Sequence, residues 1–242
     1  MKKLFPSKLF VLGILSLVAF VAFAKQDKVV QIFRNGEVIQ EYAVSEIDYI
    51  EVNDLNFTGI GTINGHDYVD MGLPSGLKWA TCNVGASVPT EYGGYFAWGE
   101  TNPKLTYTVD NSLMHDKEDV GDISGDSTYD AARANWGGSW RMPSISEMME
   151  LVHDCQWIWT VKGEISGYEV IGPNGQSIFF PAAGYYIEGS LLETAGSYGA
   201  CWSSMPWDGT IFAYCLFFNS GGTFDVGWDY RYRGLSVRPV SN

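Results

Sequence analysis

The sequence predicts an α+β fold with one main helix, or two, and about eight short, mostly antiparallel strands. Aromatic residues make up 15% of the 242 residues, charged residues make up 18%, and 28 residues are glycine. This composition is typical of a β-rich domain with long loops and large rings in its core. Only residues 145–152 carry a clear helical period, and most of the apolar segments follow them.

The first residues predict a cleaved signal peptide over residues 1–24. Lysines precede an apolar run of about fourteen residues, and Ala22-Phe23-Ala24 has the small-x-small pattern of a signal-peptidase site. The alternative, an uncleaved anchor, needs roughly 20 apolar residues. We therefore expect a mature protein that starts at Lys25, is not inserted in the membrane, and resides in the periplasm, at the cell surface or outside the cell.

The charge balance excludes two classes of partner. The formal net charge is −13, and loss of the three signal-peptide lysines would lower it to −16. Such a surface repels phosphate backbones and anionic lipid. We expect neither nucleic acid nor a membrane surface as a partner.

Residues 25–56 predict a small three-stranded β unit. Val29–Arg34 and Glu37–Tyr42 flank an Asn-Gly pair, a strong hairpin signal. Ser45 caps a single helical turn, and Tyr49–Val52 forms the third strand. Because three such strands bury little surface, we expect the unit to pack on the main domain or on another protein.

The main domain, residues 57–242, opens with strands near Tyr68–Met71 and Leu77–Cys82, joined by a Pro-Ser-Gly turn. A short aromatic strand, Tyr95–Glu100, comes next. Residues 101–130 are polar and lack periodicity, which predicts a long surface loop.

The main helix is predicted to begin after the Trp- and Gly-rich stretch that ends at Arg141. Ser144 and Glu147 form a capping box, with Pro143 just ahead of it. The apolar face of the helix would be Ile145, Met148, Met149 and Val152. Further strands are predicted at residues 157–162, 167–172, 177–186, 199–204, 212–218 and 235–240, with turns at Asn174-Gly175 and Gly221-Gly222.

The four cysteines are Cys82, Cys155, Cys201 and Cys215. In an exported protein an even number permits two disulfides, with three connectivities. Cys201 and Cys215 lie on segments that resemble neighbouring strands, which makes them the first candidate pair. Buried free thiols are the alternative.

Several motifs occur in a consistent order: VDMGLPSGLKWATCNVGA, YFAWGE, YDAARANWGGSWRMPS followed by Glu, PAAGY, ACWSS and GLSVRPV. Together they resemble the Fibrobacter succinogenes-type major paralogous domain of exported bacterial proteins, over roughly residues 61–241. The resemblance implies a C-type lectin-like fold, in which Trp140–Ser144 leads into the first helix and Gly234–Arg238 closes the sheet. It implies recognition at the cell surface, in some cases in adhesin- or fimbria-like settings, and no particular reaction. We interpret Arg141 as a brace whose guanidinium stacks or pairs with a carboxylate inside the fold.

The sequence indicates a protein that is not an enzyme. His66, His115 and His153 belong to no metal or nucleophile motif. The closely spaced cysteine pair of the related formylglycine-generating enzymes is missing. A glycoside-processing enzyme remains a remote alternative, because paired carboxylates cannot be recognised from sequence.

No cofactor is expected, with calcium as the one candidate considered. Calcium prefers hard oxygen ligands on flexible loops, although the spacing here is not that of an EF-hand. The candidate ligands are Glu100 and the acidic residues of the long loop, namely Asp116, Glu118, Asp119, Asp122, Asp126 and Asp130.

The predicted binding face lies near the C terminus, where aromatic rings alternate with charged residues at turn-like or Gly-flanked positions. Rings beside carboxylates and guanidinium groups suit stacking on sugars and also suit protein contacts. The predicted ligand-binding residues are Trp207, Asp208, Trp228, Asp229, Tyr230, Arg231 and Arg233. We expect an exported recognition module that binds a glycan through this face. The alternative is a protein-interaction or surface-assembly component that docks through the N-terminal hairpin. The sequence does not indicate an oligomeric state.

Overall fold

The computed structural model describes residues 29–34, 37–43, 59–187, 190–191, 194–209 and 211–242. The chain divides into two compact units between Thr58 and Gly59.

The N-terminal unit contains a β-hairpin. Strand β1 (Val29–Arg34) pairs antiparallel with β2 (Glu37–Ala43), so the predicted hairpin is confirmed. The helical turn at Ser45, the third strand Tyr49–Val52 and the signal peptide lie outside the described residues.

The second unit consists mostly of antiparallel sheet with one main helix, so the α+β class is confirmed. Its helices are α1 (Ala131–Trp136), α2 (Ile145–Asp154) and a 3-10 turn, Val109–Asn111. Its strands are β3 (Ile60–Ile63), β4 (His66–Asp70), β5 (Lys78–Ala80), β6 (Gln156–Lys162), β7 (Ile165–Ile171), β8 (Ser177–Pro181), β9 (Tyr186–Ile187), β10 (Ser190–Leu191), β11 (Tyr198–Pro206), β12 (Phe212–Asn219), β13 (Phe224–Tyr230) and β14 (Val240–Ser241). The sheet orders are β14-β5-β4-β3, β6-β7-β8, β9-β10 and β11-β12-β13.

The β11-β12-β13 sheet separates two apolar cores. Successive side chains of a strand point to opposite faces, so Cys215 of β12 enters one core and Leu216 enters the other. The first core contains the buried Trp98 and Trp140. The second contains Met148 of α2, which packs against the opposite face of the same sheet.

The start of α2 is fixed by the predicted capping box. The Ser144 hydroxyl accepts from the Glu147 N–H at 3.4 Å, and the Glu147 carboxylate accepts from the Ser144 N–H at 2.7 Å. Arg141 donates through both terminal nitrogens to the same carboxylate, at 2.7 and 2.8 Å. Its backbone also forms a bridge with Val240. The interpretation of Arg141 as a brace is confirmed.

The buried face of α2 differs from the predicted one. Met148 and Leu151 are fully buried, whereas Met149 is 42% exposed. The helix therefore rests on its 148/151 edge, and the assignment of Met149 to the buried face is wrong.

Two segments depart from the prediction. Tyr95–Glu100 is not a regular strand, because only Phe96 forms a bridge, with Leu235, before Gly99 turns the chain at φ +74°. The loop over 101–130 is not purely a surface loop, because Tyr107, Met114 and Ile123 are buried in it.

Cys201 and Cys215 do not form the predicted disulfide. Cys201 lies opposite Leu216, whereas Cys215 lies opposite Trp202, so the two thiols project from opposite faces of the sheet. All four cysteines are free, in agreement with the free-thiol alternative.

We expect Glu147→Gln to lower the free energy of unfolding by about 1–3 kcal/mol at neutral pH, because it weakens a charge-assisted pair and the cap of α2. Burial raises the pKa of Glu147, but hydrogen bonds from Arg141 and Ser144 outweigh this and hold the pKa below 4.5. The stabilisation is therefore complete above pH 4.5 and lost as the pH falls through the lower folded-state pKa. Urea unfolding from neutral to acidic pH should show the two proteins converging. A difference in the free energy of unfolding that persists in acid would contradict this. Glu164→Gln, at an exposed position, is the control.

Without reductant, the denatured protein is expected to react with maleimide at all four cysteines, and prior reduction should add none. In the folded protein Cys201 and Cys215 should stay unlabelled because both are buried. Burial also raises the pKa of Cys201 to about 12, which suppresses the reactive thiolate. Mass spectrometry gives the count, and fewer than four labels in denaturant would show a disulfide.

Candidate functional site

One face of the β12-β13 pair carries an open row of aromatic side chains. Tyr214 lies directly opposite Trp228, and Phe212 lies opposite Tyr230. Residues opposite one another in antiparallel strands share a face and are in contact range. The row continues to Trp207 and Tyr232 beyond the strand ends. We call these six residues the aromatic stripe: Trp207, Phe212, Tyr214, Trp228, Tyr230 and Tyr232.

The stripe exists because α2 covers only part of this face. The next two cross-strand pairs on the same face are Leu216 with Val226 and Phe218 with Phe224. Both pairs belong to the core that contains α2. The aromatic stripe is thus the uncovered continuation of a core face.

Each ring of the stripe lies in contact with at least one other ring of the stripe. Centroids lie 4.8 Å apart for Trp207 and Tyr214, 4.5 Å for Phe212 and Trp228, and 4.6 Å for Phe212 and Tyr230. Tyr230 then approaches Tyr232 at 5.4 Å. These are favourable aromatic distances, so each ring is held in place by its neighbours.

Trp228 is the most accessible ring of the stripe. It is 49% exposed, while the other five rings are partly buried. Asp208 is exposed at the turn that follows Trp207. The structure therefore brings three predicted residues, Trp207, Trp228 and Tyr230, to one accessible face, and the exposed Asp208 follows Trp207 at its edge.

Asp229 and Arg233 belong to a different environment. Asp229 lies opposite Ala213, on the other face of the sheet, and is only 9% exposed. Its carboxylate accepts from Arg233 at 2.7 Å. Burial raises the pKa of Asp229, and Arg233 opposes that rise. Asp229 therefore lies away from the aromatic stripe and is paired with Arg233, and its assignment as a ligand-binding residue stays a prediction.

Arg233 contacts the aromatic stripe through the ring of Tyr230. Its guanidinium lies 5.2 Å from the ring centroid of Tyr230 and 5.2 Å from that of Tyr185. Together with its bond to Asp229, these contacts indicate a positioning role rather than direct ligand contact.

Arg231 is a structural residue, so its assignment to the ligand-binding set is wrong. It is 1% exposed and stacks on Trp98 at 4.7 Å. Its guanidinium donates to four backbone carbonyls, those of Phe212, Met114, Lys117 and Gly209. These bonds tie the long loop and the β11-β12 turn to the base of the stripe.

Sequence reasoning missed three residues of the stripe. The predicted set omits Phe212 and Tyr214, which lie within the predicted strand 212–218, and it omits Tyr232. Trp228, Asp229 and Tyr230 occupy Gly-flanked positions after Gly227, and they lie on β13 rather than in a turn. A spacing of two between Trp228, Tyr230 and Tyr232 was the available signal, since it is the period of a strand.

The candidate calcium ligands do not converge in the described ranges. There, no three His, Cys, Asp or Glu side chains are arranged to hold a metal ion. Asp130 is buried and accepts from the backbone N–H groups of Gly125, Met142 and Arg133. Glu100 accepts from Lys104 and from the Leu113 N–H. Both carboxylates hold the loop in place.

No protein-family model matches the chain, and no curated protein or solved structure matches it significantly. The major paralogous domain and the C-type lectin-like fold therefore remain predictions. Among the helices within the described ranges, none is long and apolar enough to cross a membrane.

Arg231→Met is expected to lower the free energy of unfolding by about 2–4 kcal/mol, because it leaves buried carbonyls without donors. Denaturant unfolding measures the change. Arg34 lies in the other unit, and Arg34→Met serves as the charge-matched control. A loss below about 0.5 kcal/mol would contradict the structural role of Arg231.

Proposed function

We propose that this protein is an exported recognition module that binds a glycan through the aromatic stripe. The observation that carries the proposal is the half-exposed Trp228, held among five further rings on a regular sheet. Aromatic rings contribute large apolar faces at low cost in side-chain entropy, and tyrosine adds a hydroxyl at its tip. Sugar rings offer the complementary surface, with C–H groups on one face and hydroxyls at the edge.

Rigidity supports this assignment. Four rings of the stripe lie on the paired strands β12 and β13, and all six are packed against neighbouring rings, so little order has to be imposed when a ligand binds. Asp208 supplies an exposed carboxylate at one end for hydroxyl or amine groups. Tyr214, Tyr230 and Tyr232 supply phenolic hydroxyls along the row.

We further propose that the module binds without catalysing a reaction. Glycosidases require two carboxyl groups that flank the scissile bond. Asp229 lies on the opposite face from Trp228 and is paired with Arg233. It therefore cannot act with Asp208 as such a pair.

The β1-β2 hairpin supports a second candidate function in surface assembly. The two strands form a two-stranded sheet, and in the described ranges the outer edge of each strand has no neighbour. Free strand edges accept additional strands from a partner. Deletion of residues 25–56 would then abolish capture of a protein partner while leaving glycan retention unchanged.

Trp228→Ala should weaken glycan retention about tenfold or more, since a central aromatic contact is worth roughly 2 kcal/mol. Stability should fall by less than about 1 kcal/mol, because half of the ring is already exposed. Affinity electrophoresis and thermal unfolding measure the two effects. Ile158→Ala, an exposed apolar residue on β6, is the control and should retain binding.

A glycan array identifies the ligand class, with calcium and again with a chelator. Binding in both conditions, lost in Trp228→Ala, is the expected result. Loss with the chelator would assign the site to a metal ion held by the acidic loop. Absence of binding in both conditions would overturn the glycan proposal and favour a protein partner.

A further inference from the structure

Two exposed carboxylates lie near the edge of the sheet where β11 and β13 end. Asp208 directly follows Trp207, just after β11. Just after β13, His115 packs edge-on against Tyr232, with centroids 5.8 Å apart, and the exposed Asp116 lies 3.5 Å from the His115 Nε2 atom. Asp116 therefore has His115 as a partner, whereas Asp208 is the exposed carboxylate next to a ring of the stripe.

The two arginines near the stripe already have bonding partners within the protein. Arg231 is buried under backbone carbonyls, and Arg233 is paired with Asp229. Asp208 forms no ion pair with another described residue. Over the described ranges, no lysine or arginine lies above Trp207 or Trp228.

The ring geometry suits a cation. Trp207 and Tyr214 meet at 68°, Phe212 and Trp228 at 63°, and Trp207 and Trp228 at 40°. These inclined rings form a corner of several faces instead of a single flat platform. Ring faces are negative and attract ammonium groups, most strongly in tryptophan. Tyr230 already accepts the Arg233 guanidinium in this way.

We infer that the aromatic stripe prefers glycans with protonated amino groups and rejects polyuronates. The ammonium lies against the faces of Trp207 and Trp228, and Asp208 is its counter-ion. The inference rests on the glycan-binding function proposed above and specifies its ligand class. Three observations support it: the ring faces of the stripe are accessible, Asp208 forms no ion pair with a described residue, and Arg231 and Arg233 are bonded elsewhere.

The test compares β-1,4-linked hexamers that share one backbone. They are the glucose hexamer, the N-acetylglucosamine hexamer, the glucosamine hexamer and the glucuronic acid hexamer. Calorimetry with the whole protein is performed in mildly acidic buffer, where the amine is protonated. At low ionic strength the glucosamine hexamer should bind about 5- to 20-fold more tightly than the glucose hexamer, by cation–π attraction and ion pairing together. High salt should reduce that ratio, and the glucuronic acid hexamer should not bind.

Two variants separate the effect of the Asp208 carboxylate from the effect of the net charge of the protein. Asp208→Asn should weaken binding of the glucosamine hexamer about 2- to 5-fold more than it weakens binding of the glucose hexamer. Asp225→Asn makes the same change in net charge at an exposed position on the opposite face of β13. It should change neither affinity. Equal effects of the two variants would overturn the role of Asp208.

The remaining outcomes distinguish this inference from the function on which it rests. If the glucosamine and glucose hexamers bind with equal affinity and Trp228→Ala abolishes the binding of both, the charge preference is overturned while glycan binding stands. Tight binding of the glucuronic acid hexamer would also overturn the preference. Binding of no hexamer would overturn it as well, and the glycan array then decides the proposed function separately.

Discussion

The register between β12 and β13 is the constraint on which the site depends. It places Tyr214 against Trp228 and Phe212 against Tyr230, and it places Leu216 and Phe218 on the same face, under α2. A slip of one residue would turn every side chain of one strand to the other face. The same register therefore determines the core and the aromatic stripe.

The extent of the stripe is then set by where α2 begins. Its first turn is anchored by Ser144 and Glu147, and Glu147 is held in turn by Arg141. Asp130 reinforces this point, because its carboxylate caps α1 and accepts from the backbone of Met142. A helix placed further along the sheet would cover the exposed rings. Arg141, at the end of the Trp- and Gly-rich stretch, thus contributes to the site by fixing the start of α2.

Two fully buried arginines are held inside the fold by uncharged acceptors. Arg231 is satisfied by backbone carbonyls and the ring of Trp98. Arg238 lies deep in the fold and donates to Asn83 and to the carbonyls of Ala80, Thr81 and Phe179. Its burial lowers its pKa to about 10. Such groups are expensive to desolvate and persist only when their donors are satisfied.

Local patterns in the sequence were sufficient for the elements whose physics is local. The α+β class, the β1-β2 hairpin, the capping box at Ser144 and the brace at Arg141 depend on residues close together in the chain, so spacing and residue type predicted them. Tertiary structure alone decided which charged residues face outward. Arg231 and Asp229 are neighbours of Trp228 and Tyr230 in sequence, yet burial and ion pairing remove them from the accessible face. Tertiary structure also decided that Cys201 and Cys215 lie on opposite faces of the sheet. The register between strands and the position of a helix on a sheet are long-range properties, so no local pattern in the sequence contains them.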